Sequence, residues 1–286
     1  MKLINNGKRV KIYRQTDRRR YFNELAGTSE EFLVPYIAKF KAVGEGISVL
    51  EIGCGEGGNL LPFARRGCRV RGTDIAPGKI DNAARFFAES GLEGEFACED
   101  FLSCELSQHR GRYDIVILHD VIEHIEPPFK SQFICRAAEC LSEGGLMMVA
   151  FPAWQMPFGG HQQICRSKVC KVLPFMHLLP MKAYLCYLRL FGENEERLRE
   201  QASIKRSRMT VESFTRLVKG ESLEIRDRLL WLINPHYKAK FHLPAVKLVK
   251  PFSSIPYLRN FFSTSCFFIV GKQCPKVEDE RRSGRH

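Results

Sequence analysis

From residue 46 onward, short apolar runs alternate with segments whose apolar residues recur at three- and four-residue steps. The runs predict strands at 47–52, 68–73, 94–98, 113–118 and 145–150, and the periodic segments predict helices at 58–66, 77–90 and 129–141. Pro77 suits the first turn of its helix, while Gly91 and the Gly144-Gly145 pair stop the helices before them. Strict alternation of strand and helix predicts an α/β fold: a doubly wound, mostly parallel, seven-stranded Rossmann-like sheet.

The rhythm breaks at Pro152. Residues 153–208 hold Pro, Trp, Met and paired glycines, then a mixed run from Met181 to Phe191 and a charged run from Gly192 to Arg208, which predicts a helical lid inserted after strand five. Regular elements resume with a helix over Thr210–Lys219, opened by a Thr210-x-x-Ser213 cap, a strand near 222–233 and a last strand at 264–271. The span from Asn234 to Phe262 is long, basic and aromatic, so it reads as a second excursion rather than a hairpin. Upstream, Tyr21, Phe22, Leu25, Phe32, Leu33, Tyr36, Ile37 and Phe40 mark a helical lead-in. The expected organisation is therefore a lead-in at 1–43, a core at 44–152, the insertion at 153–208, completion of the sheet at 209–274 and a charged, disordered tail at 275–286.

Composition narrows the class. The 286 residues, 44% hydrophobic, suit one α/β domain with an added substrate region. No run approaches the roughly 18 apolar residues of a membrane span, and the first residues lack the apolar core of a secretory signal, so a soluble cytoplasmic protein is expected. Eleven cysteines with no C-x-x-C pair, several of them inside predicted core elements, read as reduced packing thiols. The net charge of +12 is uneven: residues 1–43 carry +6, 44–152 carry −7 and the remainder +13. Basic flanks around an acidic core would draw an anionic substrate or a lipid surface, or simply keep the protein soluble. Oligomeric state has no signature here.

The chemistry concentrates at 47–59, where an apolar strand carrying Glu51 runs into the turn Gly53-Cys54-Gly55-Glu56-Gly57. Glycines there let the backbone bend and approach a ligand, and amide donors gather where the next helix starts. Asp74, at the tip of the next strand, can accept both hydroxyls of a ribose. Together these predict a nucleoside-cofactor pocket, with the lead-in packed over its edge. Gly53-x-Gly55-x-x-Gly58 also fits the dinucleotide fingerprint, which keeps a nicotinamide dehydrogenase in view. Glu51 argues against it, since a carboxylate two positions before the first glycine would repel a pyrophosphate but meet a free amino group. Glu99-Asp100-Phe101 closes strand three with an acid placed for an adenine amino group and Phe101 beside the ring.

These residues, with Tyr113-Asp114-Ile115-Val116-Ile117, Asp120-Val121-Ile122-Glu123-His124-Ile125 and Leu141-Ser142-Glu143-Gly144-Gly145, resemble the class I S-adenosylmethionine-dependent methyltransferases. Within them the likeness is greatest to the small-molecule branch that includes quinone-biosynthesis methyltransferases. It covers residues 46–152 well, 209–233 loosely and the insertion not at all. The resemblance implies S-adenosylmethionine as cofactor and S-adenosylhomocysteine as product. It further implies that Gly53, Cys54, Gly55 and Gly57 wrap the methionine part with Glu51 on its amino group, that Asp74 holds the ribose, Ile75 covers the adenine and Asp100 accepts from it, and that the backbone at His119 borders the methionine tail.

Methyl transfer from a sulfonium is an in-line displacement with a neutral leaving group, so alignment does much of the work and a base is needed only where the acceptor must lose a proton. His161, on the glycine pair Gly159-Gly160, and His119, at the end of strand four, are the candidate bases. Trp154, Met156 and Phe158 would supply an apolar acceptor wall. Asp120, Glu123 and His124 with His161 offer oxygen and nitrogen ligands for a divalent ion. Some relatives with a Glu-x-x-Glu-His pattern here bind one. This chain has Asp120 at the first position, and Asp120-x-x-Glu123 equally reads as a helix capping box, so no metal is assigned. Asn234-Pro235-His236-Tyr237 is like the signature of nucleic-acid amino methyltransferases but falls outside its expected place after strand four. The expected function is methylation of a small-molecule acceptor, oxygen favoured, anionic or lipid-linked, with peripheral contact to a membrane surface. The alternatives are a non-catalytic cofactor-binding module and an RNA methyltransferase, although no RNA-binding module accompanies the basic flanks.

Overall fold

A computed structural model describes residues 17–273. The start of the lead-in and the charged tail at 275–286 lie outside the described residues. Eight strands form one sheet: β1 Ser48–Ile52, β2 Arg69–Asp74, β3 Glu95–Cys98, β4 Tyr113–His119, β5 Leu141–Phe151, β6 Leu223–Ile233, β7 Val246–Lys247 and β8 Ser265–Lys272. Their order is β3-β2-β1-β4-β5-β8-β6-β7. The first five pair in parallel, whereas β8 runs antiparallel to both β5 and β6. One strand more than expected is present, because two residues of the second excursion pair with the outer edge of β6.

Every residue of β1 is buried, and Ile115–Leu118 of β4 are fully so, as central parallel strands covered on both faces must be. Leu50, Val116, Val149 and Phe268 point into one apolar layer with the helices Lys130–Glu139 and Val211–Gly220. Val49, Ile115, Met148 and Phe267 point into the other, with the lead-in helix Arg18–Thr28 and the helix Pro77–Glu89. The second of those starts on Pro77 and buries Ile80, Ala83, Phe86 and Phe87 at helical spacing. Thr210 and Ser213 close a reciprocal capping box at the start of Val211–Gly220, where Val211, Phe214 and Val218 are buried.

The insertion carries helices Lys168–Val172, Met181–Leu190 and Glu195–Ser207 around a small core of Cys165, Cys170, Tyr184, Leu188 and Leu198. A buried polar lock ties it to the end of β5. His177 Nε2 lies 2.7 Å from the Trp154 carbonyl, its Nδ1 lies 3.2 Å from Gln162 Nε2, and Lys205 donates to the His177 carbonyl at 2.6 Å. Burial holds the His177 imidazole down at about 4, so it stays neutral and keeps these bonds at physiological pH. The ten cysteines among the described residues are all free, and no helix among those residues is long and apolar enough to cross a membrane.

Candidate active site

Because β1 lies between β2 and β4, the loops leaving all three share the carboxyl edge of the sheet, where open α/β sheets hold their ligands. Gly53 and Cys54 both donate to the Thr73 carbonyl, at 2.7 and 2.9 Å, which ties the glycine turn to β2. Gly53, Gly55 and Gly57 all have positive φ. A Cβ at Gly53 would sit 2.5 Å from Val121, and one at Gly57 would sit 2.9 Å from Phe96, so those two are fixed by packing as well as by φ. Gly55 differs: nothing lies within 4 Å of where its Cβ would be. The space over its backbone is open.

The acids behind this turn are arranged unequally. Glu51 is 1% exposed; its Oε1 accepts from Asn59 Nδ2 at 2.7 Å and its Oε2 has no partner. Burial pushes its carboxyl up to about 8, with the nearby Asp74 adding to the rise and the Asn59 bond opposing it. Asp74, also buried, accepts from the Gly55 amide at 3.0 Å and the Ala76 amide at 2.9 Å, with Lys79 Nζ 3.3 Å away. Ile75 beside it is 72% exposed, an unusual position for an isoleucine. Asp100 is exposed and accepts from the Leu102 amide and the Ser103 hydroxyl, both at 3.0 Å. The lead-in helix comes close to the turn: a Cβ at Gly58 would meet the Phe22 carbonyl at 2.6 Å, and Arg18 pairs with Glu56 at 3.0 Å.

Phe101 departs from its expected place. Its side chain is 4% exposed and packs against Phe133 and His109, with the Arg136 guanidinium 5.8 Å from the ring centre. Core packing, rather than an open ring surface, is what its position provides. The Asp120-x-x-Glu123 capping box is likewise absent. Asp120 has φ +56, not the extended backbone of a cap, its amide donates to the Ala150 carbonyl, and no helix begins until Pro127–Phe129.

A cavity of about 350 Å³ lies at the carboxyl end of β4, lined by His119 and Asp120 there, Met156, Phe158 and His161 from the insertion, and Leu25 from the lead-in. The two candidate bases thus share one cavity. Trp154 does not line it; its indole packs edge-on against His177 at 4.7 Å and serves the lock. Asn234, His236 and Tyr237 do line it, with Lys171, Lys240, Phe241 and Leu243. The sequence offered the Asn-Pro-His-Tyr motif, but only the fold, by running β6 antiparallel to β8, brings it to this opening. His236 is buried and lies 3.3 Å from the Thr28 hydroxyl.

Next to the cavity, Glu123, His124 and His161 bring ligand atoms within 4.8 Å of one another. Glu123 is 5% exposed with neither carboxylate oxygen hydrogen-bonded, His124 Nε2 lying 3.9 Å from its Oε1, and burial holds it well above the carboxylate range. The His124 side chain is 44% exposed, yet the protein packed around its ring holds it below its ordinary value, which keeps its ring nitrogens available as ligands. This donor set fits a divalent ion better than the sequence alone suggested, although Asp120 is not in it.

Residues 49–145 match the family model described as a methyltransferase domain. The chain is similar to ubiquinone biosynthesis O-methyltransferases: that of a Caulobacter species is 38% identical over 108 residues, covering 37% of this chain and 41% of that protein, and that of Cereibacter sphaeroides is 36% identical over 104 residues, covering 36% and 40%. The matched part spans about two fifths of those relatives. Among solved structures, magnesium protoporphyrin IX methyltransferase from Synechocystis aligns with a TM-score of 0.55 at 14% identity, covering 94% of this chain and 90% of that one. Geranyl diphosphate C-methyltransferase from Streptomyces coelicolor aligns at 0.53 and 14%, covering 86% and 79%. Residues 49–145 thus carry a methyltransferase domain, in line with the sequence resemblance, on a fold shared with solved methyltransferases.

Proposed function

We propose, on the premise of that methyltransferase core, that the chain transfers a methyl group from S-adenosylmethionine to an oxygen of a small-molecule acceptor in the cytoplasm, leaving S-adenosylhomocysteine. The observation that carries the cofactor assignment is the unpartnered, buried carboxylate oxygen of Glu51 under a glycine turn whose outer face is open at Gly55. An ammonium group is the natural occupant of that oxygen, since it would compensate the buried charge. Gly53, Cys54, Gly55 and Gly57 would follow the methionine part past the backbone at His119. Asp74 keeps carboxylate lone pairs for ribose hydroxyls beyond its two amide bonds, Ile75 would lie on the adenine, and Asp100 would accept from its amino group.

The cofactor supplies the activated methyl; the remaining work belongs to the chain. Met156 and Phe158 would hold an apolar acceptor in the cavity, and His161 or His119 would take a proton from a phenol or enol oxygen. Oxygen is favoured because a histidine base is useful there, and because the relatives similar over the core are named as O-methyltransferases. Lys171 and Lys240 at the same opening suit an acceptor that carries an anionic group, and Phe241 and Leu243 beside them suit a lipid tail met at a membrane surface. If a divalent ion takes part, Glu123, His124 and His161 would hold it.

Incubating the protein with methyl-labelled cofactor and fractionated polar and lipid extracts tests this. Label in a small-molecule fraction is the expected result. Label confined to RNA, or tight cofactor binding with no turnover in any fraction, contradicts it.

A further inference from the structure

Sixteen of the twenty exposed large apolar side chains among the described residues come from just two stretches, 165–191 of the insertion and 234–262 of the second excursion. A soluble surface scatters such residues singly; concentration in two segments calls for a cause. The stretches meet in space. Phe175 from the first lies 6.5 Å, ring to ring, from Phe261 of the second, and Phe262, the next residue along the chain, pairs with Phe252 at 5.4 Å. Lys171 and Lys240 with Phe241, one stretch on each side, line the mouth of the acceptor cavity.

Charge singles out the occupant. Each stretch carries five lysines and arginines and not one aspartate or glutamate. Acids from elsewhere pair with some of these cations, Glu195 with Arg189, Glu31 with Lys238 and Glu212 with Arg259. Lys168, Lys247 and Lys250 stand exposed among Val169, Val249 and Phe252. A second copy of the chain on this face would bring lysine against lysine. A surface of anionic headgroups over hydrocarbon complements both properties at once, with apolar side chains entering and lysine heads remaining at the phosphates.

We infer that this face, built from 165–191 and 234–262, seats the protein on an anionic lipid bilayer and turns the cavity mouth toward it. That the mouth admits the methyl acceptor rests on the function proposed above; the seating itself does not.

Flotation with vesicles of phosphatidylcholine alone, and of phosphatidylcholine with a third phosphatidylglycerol, tests the seating without any turnover. The full chain is expected to float with the anionic vesicles and stay behind with the neutral ones. Raising salt from about 0.05 to about 0.5 M should release most of it, since exposed charges are then screened within a few ångströms. Lys247→Glu with Lys250→Glu should lower partitioning by at least roughly tenfold, and Val249→Asp should lower it further, because each removes a surface contact outside the cavity. S-adenosylhomocysteine binding, unchanged in these variants, checks that they fold. No flotation, equal flotation with both vesicles, or a dimer in light scattering that the same substitutions dissociate would each overturn the inference. Failure to find a methyl acceptor would leave the flotation result standing and count against the proposed function alone.

Discussion

Glu51 is protonated in the cofactor-free fold across a range where the unfolded chain has lost its proton. Its ordinary value of 4.5 rises to about 8 on folding, so the folded state binds more protons between those limits. Stability from this group is therefore complete below about pH 4.5 and is lost as pH rises through about 8. Glu51→Gln, which cannot ionise, should flatten that dependence and melt above the wild type at pH 8 to 9 without cofactor. With S-adenosylhomocysteine the order should reverse. Losing a charge-assisted bond worth about 1.5–3 kcal/mol would weaken binding by roughly one to two orders of magnitude. Thermal melts of both proteins against pH, with and without ligand, check both signs; parallel curves would contradict them. At the same scale, Glu123 has two oxygens without a hydrogen bond beside two histidines. A divalent cation should raise the melting temperature of the wild type and not of Glu123→Gln, and an equal response from both would remove the ion from this site.

The glycine turn shows how an element separates a folding role from a binding one. Gly55→Ala meets no neighbour and carries only the left-handed backbone cost of about 1–2 kcal/mol. Gly57→Ala has the same backbone penalty and also drives a methyl group to 2.9 Å from Phe96 and 3.3 Å from Phe87. Gly57→Ala should therefore lower the melting temperature more, whereas Gly55→Ala should lose more ligand affinity per degree lost, since its methyl group fills the space a ligand would use. Calorimetric titration beside thermal melts separates them. The parallel strands and their glycine turn were legible because buried parallel strands are continuous apolar runs and φ > 0 selects glycine. The segment after β4 was not. Spacing alone cannot tell a capping box from a strained turn, and it was the left-handed Asp120 that set Glu123 inward without a hydrogen bond. Phe101 was misplaced for a related reason, since the sequence gives the position of a ring but not the direction in which the chain turns it. His236 and Tyr237 lie far along the chain from the other cavity residues, and only the antiparallel β8 between β5 and β6 brings them there.

In the whole molecule, an acidic core is wrapped by basic segments that supply the lead-in over the glycine turn, the insertion over the cavity and the excursion at its mouth. Such a site should be stabilised by its ligand as a unit. At a hundredfold excess over the dissociation constant, S-adenosylhomocysteine should add about 2.7 kcal/mol, a rise of roughly 5–10 °C for a chain of this size, while a nicotinamide dinucleotide should add nothing. The measurement that bears most directly on the cofactor grip is a crystal structure grown with S-adenosylhomocysteine. The ligand amino group is predicted within hydrogen-bond distance of Glu51 Oε2, the ribose hydroxyls on Asp74 and the thioether sulfur facing the cavity shared by His119 and His161. An empty crevice at saturating ligand, or a ligand bound with its amino group turned away from Glu51, would contradict it.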